Sequence, residues 1–138
     1  MTKSTILYAD DDLDDLFIVE QAFAPFADFI NLMHVSDGSS ALSCLKRMCL
    51  GGEEPCLILL DMNMPVMDGR QALMQIRQSE EFRHLPVAVF TTSSNPVDKA
   101  FASQYNAQFF TKPLAFTDLQ HLARTFVKMC ASDVAPVQ

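Results

Sequence analysis

The sequence predicts a doubly wound α/β fold, in which helices cover both faces of a parallel five-stranded sheet. Short apolar runs alternate with segments of helical periodicity along the whole chain of 138 residues. The predicted strands cover residues 4–9, 29–35, 56–61, 85–91 and 107–111. The run 56–61 is apolar up to its last residue, which is typical of a central parallel strand buried on both faces.

The first two helices carry recognisable start and stop signals. Asp12 is expected to cap the first helix, and Pro25 limits its length. Asp14 and Asp15 are expected to be solvated acids of the first turn of this helix. Asp37 or Ser39 is expected to cap the second helix. These signals place one helix after each of the first two strands.

The remaining helices follow the third, fourth and fifth strands. Gly69 opens the third helix, and Asn95 followed by Pro96 is typical of a helix start. The fifth helix shows apolar residues at helical spacing and is expected to end near residue 129. Asn106 is expected to adopt the left-handed conformation before the fifth strand.

Length and charge restrict the class of protein. The chain is long enough for one domain, predicted over residues 1–130, with a flexible tail over 131–138 and no output domain. The net charge of −7 argues against nucleic-acid binding. No apolar run approaches the length of a membrane span, and the N-terminus does not resemble a signal peptide. The expected location is the cytoplasm.

The four cysteines do not form a recognisable metal or redox motif. None of them belongs to a CxxC pair, and their spacing does not fit a zinc site. We interpret them as small apolar residues that are buried or half-buried. They are Cys44, Cys49, Cys56 and Cys130.

Polar residues with distinct chemistry follow four of the predicted strands. Asp10 and Asp11 follow the first, Asp61 the third, Thr91 the fourth and Lys112 the fifth. Right-handed crossovers bring the carboxyl ends of parallel strands to one edge, where ligands bind in such sheets. Clustered carboxylates repel one another unless a proton or a cation lies among them, and oxygen ligands alone favour Mg²⁺ or a similar hard ion.

This set of groups is suited to binding a phosphoryl group. A cation, a lysine and a hydroxyl provide the charge neutralisation that phosphoryl transfer requires. Because a glycine-rich phosphate loop is absent from the sequence, a carboxylate is expected to be the phosphoryl acceptor itself. Asp61 is the best candidate, since it ends the most buried strand.

Four motifs in the expected order resemble the receiver domain of two-component response regulators. They are "ILYADDD", "CLILLDMNMPVMDG", "LPVAVFTTSS" and "FFTKP", and the resemblance extends over residues 4–129. It implies a flavodoxin-like (βα)5 fold with strand order 2-1-3-4-5. The opening of the chain and the segment "FTTSSNP" are similar to stand-alone, chemotaxis-regulator-like receivers that partner bacterial phytochrome kinases.

The resemblance implies a role for each residue of the acidic group. Asp61 is expected to be the phosphoacceptor, forming an aspartyl phosphate. Asp11 is expected to bind Mg²⁺ or Mn²⁺ directly and Asp10 mainly through water, with the backbone carbonyl of Asn63 as a further ligand. Asp12 is assigned to capping instead.

The resemblance also implies the switch residues. Thr91 is expected to hydrogen-bond the phosphoryl group, Phe109 to be the aromatic switch residue, and Lys112 to pair with the phosphoryl oxygens. Asn63 and Ser93 are expected to tune the phosphoryl lifetime. The peptide bond between Lys112 and Pro113 is expected to be cis, which is a minority state for such bonds.

The function implied is that of a phosphorylation-controlled switch. A sensor histidine kinase or a histidine phosphotransfer protein would donate to Asp61, and the surface of helix four, strand five and helix five would then signal to an unknown downstream protein. Self-association through the same surface is a further implication. Such a chain catalyses only its own phosphorylation and dephosphorylation, and it is not an enzyme for an external substrate.

Two other functions compete with this interpretation. A haloacid-dehalogenase-type phosphatase also forms an aspartyl phosphate, but it requires a second aspartate where Asn63 stands. A pseudo-receiver would keep the fold as a protein scaffold without phosphorylation. The sequence argues against it because each reactive position is filled.

Overall fold

The structure is a computed structural model that describes residues 3–134, and only the backbone of 132–134. Its five strands form one parallel sheet in the order β2-β1-β3-β4-β5, as predicted. The strands are β1 (Ser4–Ala9), β2 (Ile30–Val35), β3 (Leu57–Leu60), β4 (Val87–Thr91) and β5 (Gln108–Thr111).

Five helices cover the two faces of this sheet. They are α1 (Leu13–Phe23), α2 (Gly38–Leu50), α3 (Gly69–Gln78), α4 (Pro96–Gln104) and α5 (Phe116–Val134). Buried residues of α1 and α5 pack on one face, and those of α2, α3 and α4 pack on the other. No helix within residues 3–134 combines the length and the apolarity that a membrane span requires.

The side chains of β1 and β3 alternate between the two cores. Tyr8 and Leu59 belong to the core under α1 and α5, whereas Leu7 and Leu60 belong to the opposite one. This alternation follows from the period of two along a strand. Asp10, which follows β1, lies two positions after Tyr8 and is therefore on the same side of the sheet as Tyr8.

The predicted caps of the first, second and fourth helices are confirmed. The Asp12 carboxylate accepts hydrogen bonds from the backbone N–H groups of Asp14 and Asp15, at 2.9 and 3.2 Å. Asp37 rather than Ser39 caps α2. Asn95 caps α4 ahead of Pro96, and Asn106 adopts a left-handed φ of 57°, as predicted.

The predicted end of the fifth helix is wrong. Helix α5 continues to Val134, so residues 131–134 of the predicted tail are helical, and residues 135–138 lie outside the described residues. Cys130 explains part of the difference, because it is 2% exposed and packs within the core under α1 and α5. The apolar face of the helix therefore continues past residue 129.

The prediction that the cysteines are separate apolar residues is wrong for two of the four. Cys56 and Cys130 form a disulfide, with Cα atoms 5.0 Å apart and a sequence separation of 74. The bond joins the start of β3 to the last turns of α5. The spacing of the cysteines in the sequence could not reveal this disulfide, because the pairing depends on the packing of α5 against the sheet. Cys44 is free and buried, and Cys49 is free and exposed.

Candidate functional site

Two aspartates lie side by side at the carboxyl edge of the sheet. Asp10 directly follows β1 and Asp61 directly follows β3, and the backbone N–H of Asp61 donates to the carbonyl of Ala9 at 3.1 Å. The pairing of β1 with β3 therefore extends into the site. Asp10 is 0% exposed and Asp61 is 7% exposed.

Lys112 joins the carboxylates of this edge. Its Nζ donates to Asp10 Oδ2 at 2.6 Å, to Asp15 Oδ2 at 2.7 Å and to Asp61 Oδ2 at 2.9 Å. Its backbone N–H donates to the carbonyl of Thr91 at 2.7 Å, which anchors the end of β5 to the end of β4. Three of the strand-end residues predicted from the sequence thus meet at one point, namely Asp10, Asp61 and Lys112.

Burial and the neighbouring charges shift the pKa values of Asp61 and Lys112. Burial raises the pKa of the Asp61 carboxyl, even though Lys112 favours its ionised form. Burial opposes the charge of Lys112, but its hydrogen bonds with the carboxylates outweigh that effect and raise its pKa above the usual range. The lysine is therefore charged at neutral pH and forms a fixed cation beside the acceptor.

Asp15 is a site residue that the sequence prediction missed. It was expected to be a solvated acid of the first helical turn, but its side chain is 30% exposed and bonds to Lys112. The first turn of α1 begins directly after the β1 strand end, which directs one of its acids back over the site. That proximity is the signal in the sequence that could have identified Asp15.

Tyr8 and His34 are further contacts of Asp10 that the sequence did not indicate. The Tyr8 hydroxyl donates to Asp10 Oδ2 at 2.6 Å, and His34 Nε2 lies 2.7 Å from the backbone oxygen of Asp10. Burial, followed by the bond to Asp10, raises the pKa of Tyr8 above its usual range. Neither side chain had been assigned a role.

An acidic group capable of binding a metal occupies the same edge. Asp10, Asp11 and Asp61 each offer a carboxylate oxygen, and these oxygens lie within 4.8 Å of one another. Three hard oxygen donors, one of them exposed, fit a divalent cation such as Mg²⁺. The backbone N–H of Asn63 donates to Asp61 Oδ1 at 3.2 Å, which holds the following loop close to these oxygens.

The segment after β4 is tied to two helices. Thr91 is fully buried, and its Oγ1 accepts a hydrogen bond of 3.4 Å from the backbone N–H of Ser93. The Ser93 hydroxyl donates to Asp98 at 2.9 Å, and Asp98 also pairs with the guanidinium of Arg70. Phe109 is half-buried and packs against the core under α2, α3 and α4.

The prediction of a cis bond before Pro113 is wrong. The described backbone contains no cis peptide bond, so the bond between Lys112 and Pro113 is trans. The trans form is favoured intrinsically by about 0.5–1 kcal/mol. With this bond in the trans form, Lys112 reaches all three carboxylates, so the ion pairs of the site do not require the cis form.

The fold and the site together define a class of protein. The chain is a doubly wound α/β protein whose strand ends bring carboxylates and a lysine into one acidic pocket, with a buried threonine at the end of β4. It belongs to the response regulator receiver domain family, whose model matches residues 6–124.

Curated relatives and solved structures support this assignment. The chain is 32% identical over 120 residues to the response regulator Rcp1 of Synechocystis sp., covering 83% of this chain and 80% of that protein. The phosphorylated cyanobacterial phytochrome response regulator RcpA is a structural neighbour, with a TM-score of 0.86 at 25% identity and 99% and 100% coverage. The Mn²⁺-bound form of Rcp1 is another, with a TM-score of 0.80 at 27% identity and 98% and 97% coverage.

Proposed function

We propose that this chain is a stand-alone response regulator that accepts a phosphoryl group on Asp61 from a histidine kinase or a phosphotransfer protein. The observation that carries the proposal is the ammonium of Lys112, which lies 2.9 Å from Asp61 in a pocket that also contains Asp10. A lysine fixed beside a buried carboxylate supplies the charge that an incoming phosphoryl group requires. The proposal includes a cytoplasmic location, where such a donor would meet the chain.

The transfer forms one bond and breaks another. An Asp61 carboxylate oxygen attacks the phosphorus of a phosphohistidine, the P–N bond breaks, and its electron pair stays on the imidazole nitrogen. Lys112 pairs with the phosphoryl oxygens, and the Thr91 hydroxyl donates to one of them. A divalent cation held directly by Asp11, Asp61 and the Asn63 carbonyl, and by Asp10 mainly through water, would neutralise further charge.

The new charge on Asp61 would then shift the conformation of the chain. Thr91 would move toward the phosphoryl group, and Phe109 would turn into the space that it leaves. The surface of α4, β5 and α5 would change as a result, and this surface would contact the downstream protein or a second copy of the chain. This is a population shift between two states driven by a local charge.

Two residues near the acceptor are proposed to set how long the phosphoryl group lasts. Asn63 and Ser93 each lie two positions after a reactive residue, and the Ser93 hydroxyl is already bonded to Asp98. We expect moderately fast to intermediate hydrolysis. A half-life of many hours in Mg²⁺ would contradict this expectation.

The donor protein is proposed to dock on an apolar groove that adjoins the acidic pocket. The groove has a volume of about 240 Å³ and is lined by Ile18, Leu114 and Phe116 together with Lys112. Ile18 and Phe116 are each 43% exposed, so the groove presents apolar surface beside a charged site. Because Lys112 lines both the groove and the pocket, a helix that carries phosphohistidine and lies in the groove would present its phosphoryl group to Asp61.

Acetyl phosphate with Mg²⁺ tests the phosphoacceptor itself. The chain should gain the mass of one phosphoryl group, Asp61→Asn should gain nothing, and Asp68→Asn should behave like the wild-type chain. Failure of the wild-type chain to gain mass would favour a pseudo-receiver scaffold. Steady release of phosphate from a small phosphomonoester would instead favour the phosphatase alternative.

A charge in the groove tests the docking of the donor. Ile18→Glu should slow transfer from a protein donor and leave phosphorylation by acetyl phosphate unchanged. Glu20→Gln, on an exposed part of α1, is the matched control. Equal slowing with both donors would show that the substitution disturbs the pocket rather than docking.

A further inference from the structure

The buried hydroxyl of Tyr8 is not used by the proposed transfer. The Tyr8 side chain is 0% exposed, with its ring centroid 6.5 Å from that of Phe90 and 6.0 Å from that of His34. A phenylalanine could make the same ring contacts. A buried hydroxyl requires a hydrogen-bond partner, and the partner of this one is Asp10 Oδ2 at 2.6 Å.

The hydrogen bonds of Asp10 leave little of its carboxylate free. Oδ2 accepts from the Tyr8 hydroxyl and from Lys112 Nζ, both at 2.6 Å, and Oδ1 accepts from the backbone N–H of Asp12 at 2.9 Å. An ionised carboxylate has about four lone-pair sites. The two on Oδ2 are therefore taken, and one remains on Oδ1. Asp10 can meet a cation only through that single position.

The donors of Lys112 are fully used as well. An ammonium has three N–H donors, and here they reach Asp10, Asp15 and Asp61. Among these partners Asp10 is the most deeply buried, with a side chain that is 0% exposed. The orientation of Asp10 therefore determines where the ammonium lies relative to Asp61.

We propose that Tyr8 is a positioning residue whose hydroxyl fixes Asp10 as the acceptor for Lys112 and withholds Asp10 Oδ2 from a metal ion. The inference rests on the proposed phosphoacceptor function. Tyr8 touches neither Asp61 nor an incoming phosphoryl group. It acts by dividing the two neighbouring acids between two roles, so that Asp10 holds the lysine while Asp11 binds the cation.

Removing the Tyr8 hydroxyl should raise the affinity for a metal ion and lower the rate of phosphorylation. In Tyr8→Phe, one lone pair of Asp10 Oδ2 loses its donor, so Asp10 can offer a second position to the cation and Mn²⁺, measured by electron paramagnetic resonance, should bind more tightly. The rate of phosphorylation by acetyl phosphate at saturating Mg²⁺ should fall, because Lys112 is held less firmly. Each change should be roughly tenfold, the lower end of what outer contacts of metal ligands contribute.

Tyr105→Phe is the matched control. Tyr105 is the other tyrosine of the chain, and its ring is half-buried against Phe101, away from the acidic pocket. This variant should match the wild-type chain in both metal binding and phosphorylation rate. A thermal melt of each variant checks that the fold is retained.

The opposite shifts separate a positioning role from a purely structural one. Metal binding and rate that fall together, or that both stay at the wild-type value, would overturn the inference. A wild-type chain that is not phosphorylated at all would refute the proposed function instead. In the unsubstituted chain, a slowly exchanging Tyr8 hydroxyl proton should be visible by NMR, and a freely exchanging one would also overturn the inference.

Discussion

Replacing Lys112 with methionine removes the positive charge that three carboxylates share. At an effective dielectric constant of about 20, unit charges at ~2.7 Å attract each other by roughly 6 kcal/mol. Much of that gain is offset by the dehydration of a side chain that is only 9% exposed. Removing one partner of a buried ion pair costs about 3–5 kcal/mol. We expect a loss of that size in the free energy of unfolding at pH 7 in EDTA.

The loss of stability in Lys112→Met should depend on the charge of the three carboxylates that remain. Mg²⁺ supplies positive charge to the same oxygens, so it should stabilise Lys112→Met more than it stabilises the wild-type chain. Lower pH should narrow the difference as well, because protonation removes the repulsion among the acids. Urea unfolding followed by far-ultraviolet circular dichroism, with and without Mg²⁺, measures both effects.

Lys99→Met is the matched control for this experiment. Lys99 is exposed on α4 and forms no ion pair within the described residues. Its substitution should change the free energy of unfolding by less than about 0.5 kcal/mol. An equal loss in the two variants, or equal stabilisation by Mg²⁺, would refute the claim that Lys112 neutralises a buried acidic cluster.

Three further predictions concern individual residues. Cys130→Ala removes the disulfide to Cys56 and should lower the free energy of unfolding, measured in urea, by about 4 kcal/mol. Under a reductant that opens the disulfide of the wild-type chain, the variant and the wild type should unfold alike. Asp12→Ala should cost about 0.5–2 kcal/mol and leave phosphorylation by acetyl phosphate intact, whereas Asp11→Ala should abolish it. Because the pKa of Asp61 is raised, its protonated form stabilises the fold and that contribution is lost as pH rises through the folded pKa. Asp61→Asn should therefore melt at a higher temperature than wild type at pH 7, and the gap should close below about pH 4.

The sequence predicted the sheet and the strand-end residues because both depend on general rules. Alternating strands and helices require a parallel sheet, and its carboxyl edge brings Asp10, Asp61 and Lys112 together. The contact of Lys112 with both aspartates follows from topology. The order of the four motifs, which resembles that of a known family, was sufficient to predict the class of protein.

What the sequence could not predict depends on side-chain direction and on packing between distant segments. The sequence position of Asp15 predicts an ordinary first-turn acid, whereas the first turn of α1 directs its side chain to Lys112. Tyr8 could have packed in the core without using its hydroxyl. The bond between Cys56 and Cys130 depends on where α5 crosses the start of β3.

The position of the phosphoryl group tests the central claim most directly. The chain is phosphorylated with acetyl phosphate and Mg²⁺, reduced with borohydride, and digested for mass spectrometry, so that an aspartyl phosphate is converted to homoserine. The account predicts homoserine at position 61 and unmodified aspartate at positions 10, 11 and 15. Homoserine at one of those other positions, with Asp61 unchanged, would contradict it.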